Sequence, residues 1–176
     1  MKKILFFLFG IVLFLFVAAL LMPKELNMER EVTIDRPVEE VFAYVSHLDN
    51  MDEVSVWMKR DPDMKKSNTG TDGQVGYVTR WESEHKDVGV GEQEILAIEE
   101  NKRIDTALRF ETPYESNDTA YMITEPVGDD QTKVIWGYES AKASVPMNLM
   151  FPLISGKLKK DFDTTLSNLK DRLERS

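Results

Sequence analysis

Glu92 and Glu94 stand two residues apart in a stretch, Val88 to Glu99, that reads as a strand, so both leave the same face of it. Close carboxylates repel one another's charge, which raises one pKa and makes an acid/base pair. This applies only if their face turns inward. Turned outward they are an exposed edge without chemistry, and that reading is favoured, which leaves Glu92 and Glu94 weak catalytic candidates. Arg80 and Arg109 can meet these glutamates or a ligand carboxylate, and exposed pairing is the default for both.

Other reactive groups are sparse. His47 and His85 are the only histidines, and they lack the spacing of a metal site. His47 ends a helix beside Asp49, and His85 falls in a turn between Glu84 and Lys86. With no cysteine, disulfides, thiolate metal sites and cysteine nucleophiles are excluded. Gly70-Thr71-Asp72-Gly73 lacks the lysine and helix of a phosphate loop, and there is no nucleophile elbow. No metal and no cofactor is expected.

The aromatic residues form a second constellation. Tyr77, Trp81, Phe110, Tyr121, Trp136 and Tyr138 occur in alternating segments, with Phe42, Trp57 and Phe162 in helical ones. Trp and Tyr combine a large apolar body with one polar handle, which suits a mainly apolar pocket with a few orienting groups. The plainer alternative is that each of these nine simply fills the core. Face assignment is delicate near Gly89 and Gly91, where a bulge is expected and a one-residue slip reverses every side chain.

The elements that must position these residues follow from periodicity. Glu29–Asp35 reads as a strand. Asp35-Arg36-Pro37 opens a helix carrying Val38, Val41, Phe42 and Val45, with Asp35 as its cap, and a second short helix covers Met51 to Met58. A loop rich in Gly, Asn, Asp and Pro follows, through Gly73. Five segments of period two come next, over about 75–81, 88–99, 104–111, 119–124 and 132–139, separated by hairpin-length turns. Leu158, Phe162, Leu166, Leu169 and Leu173 then repeat at helical spacing. Pro152 is expected to interrupt that helix, so its regular part starts near Leu153. The apolar lead-in from Val145 to Leu153 then serves as a mobile entrance to a cavity or as a lip facing a membrane.

Ile4 to Met22 contains no charge, and its 19 residues reach about 28 Å as a helix, close to the hydrocarbon thickness of a bilayer. A cleaved signal peptide is the alternative, but Leu20, Leu21 and Met22 follow Val17-Ala18-Ala19 at once, so an uncleaved anchor is favoured. Lys2 and Lys3 favour a cytoplasmic N-terminus, which places the domain on the extracytoplasmic, periplasmic side of the cytoplasmic membrane. The divisions expected are an anchor over 1–23, a linker over 24–28 and a domain over 29–176. With 42% hydrophobic and 30% charged residues the chain is globular in composition. Two of its 22 basic residues precede the apolar segment, leaving 20 against 31 acidic ones. Such a domain is a poor partner for nucleic acid or an anionic surface.

The order strand, two helices, five strands, long helix resembles the START-like superfamily of polyketide cyclase/dehydrase and lipid-transport proteins. The resemblance rests on Glu31-Val32-Thr33-Ile34-Asp35-Arg36-Pro37-Val38-Glu39-Glu40-Val41-Phe42, on Trp81 to Glu84 with Gly89 to Ile95, and on Phe162 to Leu173. It covers about Met28 to Glu174. It implies an α+β helix-grip fold, in which a curved antiparallel sheet of about six strands wraps the C-terminal helix around a cavity. It also implies a hydrophobic small molecule or lipid as partner. A membrane-tethered binding module is therefore expected, more readily than an enzyme. A cyclase- or dehydratase-like enzyme with a buried carboxylate, and an interaction or stress protein with a vestigial cavity, stay open as alternatives.

Overall fold

A computed structural model describes residues 2–175. Helix α1 (Lys2–Leu21) precedes β1 (Asn27–Ile34), and three short helices follow: α2 (Val38–Val45), α3 (Leu48–Val54) and α4 (Val56–Arg60). Six strands come next: β2 (Lys65–Thr69), β3 (Val78–Glu82), β4 (Val90–Glu99), β5 (Arg103–Thr112), β6 (Ser116–Pro126) and β7 (Thr132–Glu139). A 3-10 turn (Met147–Met150) leads directly into α5 (Phe151–Glu174). The strands form one antiparallel sheet in the order β1-β7-β6-β5-β4-β3-β2, gripping α5 as the helix-grip fold requires.

Local differences from the periodicity have physical causes. The seventh strand, β2, occupies what reads as loop, because all five of its residues are exposed and polar and carry no apolar alternation. The helix expected over 51–58 is two helices. Ser55 adopts an extended backbone between them, and its hydroxyl accepts a hydrogen bond from the Trp57 N–H at 3.2 Å. Asp35 does not cap α2, whose N-cap position is Pro37. Instead, the Asp35 carboxylate accepts from the Gln131 side chain at 2.7 Å, and its N–H donates to the Glu174 carboxylate at 2.8 Å. Helix α5 begins at Phe151, ahead of Pro152. In a first turn the missing proline N–H forfeits no intrahelical bond, so Pro152 starts the helix rather than breaking it.

Helix α5 buries Phe162, Leu166, Leu169 and Leu173, the stripe its spacing predicts. Leu166 and Leu169 join Ile34, Val41, Val45, Ile95 and Val134 in a core closed to solvent. Polar groups on the same helix hold the short helices in place. Thr165 accepts from the Val56 N–H at 3.3 Å, and the Asn168 amide donates to the Val54 carbonyl at 2.8 Å.

The register brings one end of the strands together, with Asn27 opposite Glu139, Glu139 opposite Thr119, Thr112 opposite Val90 and Val90 opposite Glu82. At this end lie the β3–β4 turn, the β5–β6 turn, the C-terminal end of α1 and the start of α5. The other end holds the β4–β5 and β6–β7 turns and the C-terminus of α5, where Glu174 meets Asp35.

Helix α1 has 20 residues, a length and composition sufficient to cross a membrane, a property shared by anchors and signal sequences. Only its Ala19 is buried. The side-chain amide of Asn148, itself buried, donates to the Ala19 carbonyl at 2.7 Å, with the Met22 and Pro23 carbonyls each at 3.4 Å.

Candidate functional site

A cavity of about 410 Å³ lies between the concave face of the sheet, α5 and the short helices. Its floor is the inward face of the central strands, with Trp81 from β3, Gln93 from β4, Thr106, Leu108 and Phe110 from β5, and Ala120 and Met122 from β6. Trp136 and Tyr138 of β7 continue it, and Leu158, Asp161, Phe162 and Thr165 of α5 form the roof. Trp57 and Met58 of α4, with Met51 of α3, make the side wall.

Aromatic packing shapes the interior. Trp136 stacks on Phe162 with ring centroids 4.0 Å apart and planes 12° apart. Trp57 meets both edge-on, at 6.1 and 6.0 Å, and Tyr138 meets Phe162 edge-on at 6.4 Å. These arrangements suit the ring quadrupoles. On the other side, Trp81 and Phe110 approach to 5.9 Å across β4. Gly91 stands between them in the register, and a Cβ there would lie 2.8 Å from the Trp81 ring. All three tryptophans of the chain line the cavity, and among the described residues no indole N–H finds a hydrogen-bond partner.

The polar groups at the wall are mostly occupied. Gln93 donates to Thr106 at 3.0 Å, and Thr106 donates to the Ala120 carbonyl at 3.2 Å. The Tyr138 hydroxyl donates to the buried Asp118 at 2.6 Å, and burial, then that bond, pushes the phenol pKa well up. Asp161 holds Arg60 through two bonds, at 2.5 and 2.9 Å. Asp52 pairs with Lys66; burial pushes its carboxyl up while Lys66 draws it down. Asp87 pairs with Lys157 at 2.6 Å, which holds its carboxyl low. Among the described residues no cluster of His, Asp and Glu is arranged to hold a metal ion.

The structure separates the nine aromatic positions. Trp57, Trp81, Phe110, Trp136, Tyr138 and Phe162 point into the cavity wall. Phe42 is buried in the apolar core outside the cavity. Tyr77 is also a core residue, its hydroxyl donating to Asp49 at 2.8 Å. Tyr121 borders the cavity along β6, but its ring belongs to the convex face. There it lies opposite Gly137, carries the Arg103 guanidinium 4.2 Å from its centroid, and donates to Glu29. That bond, then burial, pushes its pKa up to about 12. The inward positions of β6 are Asp118, Ala120, Met122 and Thr124, one residue out of step with the aromatic reading.

Glu92 and Glu94 are also on the convex face, since Gly91, Gln93 and Ile95 take the inward positions of β4. Both are bound by one guanidinium: Arg109 reaches Glu92 at 2.8 Å and contacts Glu94 as well. This disposes of the pair as acid/base groups in the cavity. Arg80 is likewise paired outside, with Glu111 at 2.5 Å. The His47 Nδ1 lies 2.9 Å from the Ala43 carbonyl. His85 sits in the β3–β4 turn, where its Nδ1 accepts from the Asp87 N–H at 3.2 Å.

Sequence reasoning passes over Asp118 and Thr165, and by charge it puts Asp161 on the solvated face of its helix, whereas Asp161 is buried at the cavity. The signals were present. Asp118 shares its parity with Ala120 and Met122, and Leu158, Asp161, Phe162 and Thr165 are spaced so that they share one helix face.

A sheet gripping one long helix around an apolar cavity defines a recognisable architecture, and the sequence agrees with it. Residues 25–174 match the family described as polyketide cyclase / dehydrase and lipid transport. The chain belongs to this family. A comparison with curated proteins finds no match. Among solved structures, Ara h 8.0201 superposes with a TM-score of 0.61 at 15% identity, covering 86% of this chain and 99% of that one. A conserved protein from Geobacillus kaustophilus gives 0.64 at 13% identity, over 86% and 97% of the two chains. The protein TTHA0849 from Thermus thermophilus gives 0.59 at 14%, over 84% and 97%. At these identities the likeness is one of fold. In this family member the cavity is built mainly from apolar and aromatic side chains, and its carboxylates Asp52, Asp87 and Asp161 are each paired with a cation.

Proposed function

We propose that this protein is a membrane-tethered binding module that takes up one apolar small molecule or lipid in the cavity beneath α5. The observation that carries the proposal is the cavity itself. Its volume of about 410 Å³ is in the range of small-ligand pockets, its lining is aromatic and aliphatic, and the three indole N–H groups at its wall have no protein partner among the described residues. Apolar burial supplies the affinity and the indoles orient any polar end of the ligand. An interior of this size argues against a vestigial cavity. The convex placement of Glu92 and Glu94 removes the carboxylate pair on which an enzymatic reading rested.

In this reading α1 remains attached as the anchor and the domain lies on the extracytoplasmic side of the cytoplasmic membrane. The contact of Asn148 with Ala19, Met22 and Pro23 supports retention of α1, because it docks the end of that helix onto the domain. The positive charges of Lys2 and Lys3 support the orientation.

Because every tryptophan lines the cavity, energy transfer to a dansylated fatty acid reports occupancy directly. The full chain in lipid nanodiscs should show saturable transfer, and native mass spectrometry should find a co-purifying apolar molecule. Absence of both would overturn the binding reading.

A further inference from the structure

We propose that the end of the domain nearest α1 is a bilayer-contact surface and that the cavity opens through it, so that apolar ligand passes between the outer leaflet and the cavity without crossing bulk water. This deepens the membrane-tethered binding reading and rests on it. Two independent features converge on that end. The first is the attachment of α1. The carbonyls that close its last turn and follow it are held by Asn148, and Ala143 donates its N–H to the Lys24 carbonyl at 2.8 Å. The link between anchor and domain is thus bonded on both sides of its short length.

The second is the position of exposed apolar side chains. Leu153 is 71% exposed, Tyr114 58%, Met150 41%, and Met147 and Ile154 38% each. Met147 and Met150 belong to the same turn as Asn148, Leu153 and Ile154 to the first turn of α5, and Tyr114 to the β5–β6 turn. The strand register puts that turn at the α1 end of the sheet. Tyr114 and Ile154 also line the cavity, alongside Pro113 and the Asp87–Lys157 pair. The apolar lip and the mouth are therefore one surface.

A bilayer is the occupant this surface fits. A helix long enough to span ends within the same bonded cluster, so the lip is carried to the height of the headgroups whenever α1 spans. Leucine, isoleucine and methionine gain by entering the acyl boundary, and tyrosine favours the interface. The acidic domain opposes attraction to an anionic surface over distance. Contact is imposed by the tether instead, which holds the lip at high effective concentration against the lipid.

The cysteine-free sequence makes the test direct. In the full chain reconstituted in phosphatidylcholine vesicles, Leu153→Cys is labelled with an environment-sensitive fluorophore, and Asp130→Cys, in the distal β6–β7 turn, serves as the reference. The label at 153 should shift to the blue and be quenched by nitroxide lipids, while the label at 130 stays in water. A second variant, Met150→Asp with Leu153→Asp, neither of which lines the cavity, should slow passage of a dansylated fatty acid from vesicle to cavity about tenfold or more, because two apolar contacts with the bilayer are lost. Uptake of the same fatty acid added from water should be unchanged. If the protein floats with the vesicles and takes up fatty acid, yet the label at 153 remains in water, the contact surface is wrong and the binding reading stands. If the vesicles do not retain the full chain, the tether and the surface fail together.

Discussion

The indole of Trp136 lies flat on the ring of Phe162, with centroids 4.0 Å apart, joining the last strand of the sheet to the middle of the closing helix. Phe162 is buried and also forms cavity roof, so one side chain supports both packing and the proposed site. Phe162→Ala should cost about 3–4 kcal/mol, read from urea midpoints at unchanged slope. Phe162→Leu should cost less and change fatty-acid affinity more than stability. Equal effects on both from the leucine variant would mean that the ring serves packing alone.

Arg60 and Asp161 tie α4 to α5 beside the cavity, and the Asp161 side chain is only 10% exposed. Asp161→Asn should destabilise by about 2 kcal/mol, because Arg60 loses its counter-charge in a partly buried place. A loss of only a few tenths of a kcal/mol, measured by the same denaturation, would class the pair with ordinary surface bridges.

Glu92→Gln and Glu94→Gln test the opposite expectation. Their Arg109 partner is 40% exposed, so each substitution should change stability by less than about 1 kcal/mol. Fatty-acid uptake should not change. A strong loss of uptake in either variant would contradict their placement on the convex face.

Tyrosines govern the alkaline limit. The Tyr121 phenol is pushed up to about 12 by Glu29 and burial, and Tyr138 is raised further by burial and Asp118. A folded pKa above the ordinary value of 10.0 favours the protonated phenol in the native state. Their contribution is full below pH 10 and is lost as pH rises through the folded values. Stability should therefore decline above about pH 10, and Tyr121→Phe should make the decline shallower. Absorbance of phenolate set against the unfolding curve checks this.

Asn148→Ala removes the amide that binds the end of α1. The variant should retain the fold of the sheet and α5 while the linker around 22–26 is cleaved severalfold faster by protease in nanodiscs. Unchanged cleavage would show that the Ala143–Lys24 bond suffices to hold the junction.

Periodicity alone determined much of this protein. Alternation identified six of the seven strands, and leucine spacing identified the face of α5 that is buried, because burial of apolar surface imposes a period of 2 or 3.6 on any chain that folds this way. The uncharged run at the N-terminus likewise sufficed to predict α1. Only the tertiary structure decided which face of each strand is concave. Tyr121 and Trp136 are both aromatic residues in alternating strands, but in β6 Ala120 and Met122 face the cavity while the Tyr121 ring covers Gly137 outside. For Glu92 and Glu94 the decision came from a partner 15 to 17 residues away, Arg109, which the β4–β5 register brings alongside. The junction of Asn148 with Ala19 spans 129 residues and has no local sequence signal at all. Side-chain type and spacing carry the period of an element; its phase depends on contacts that exist only once the sheet has closed around the helix.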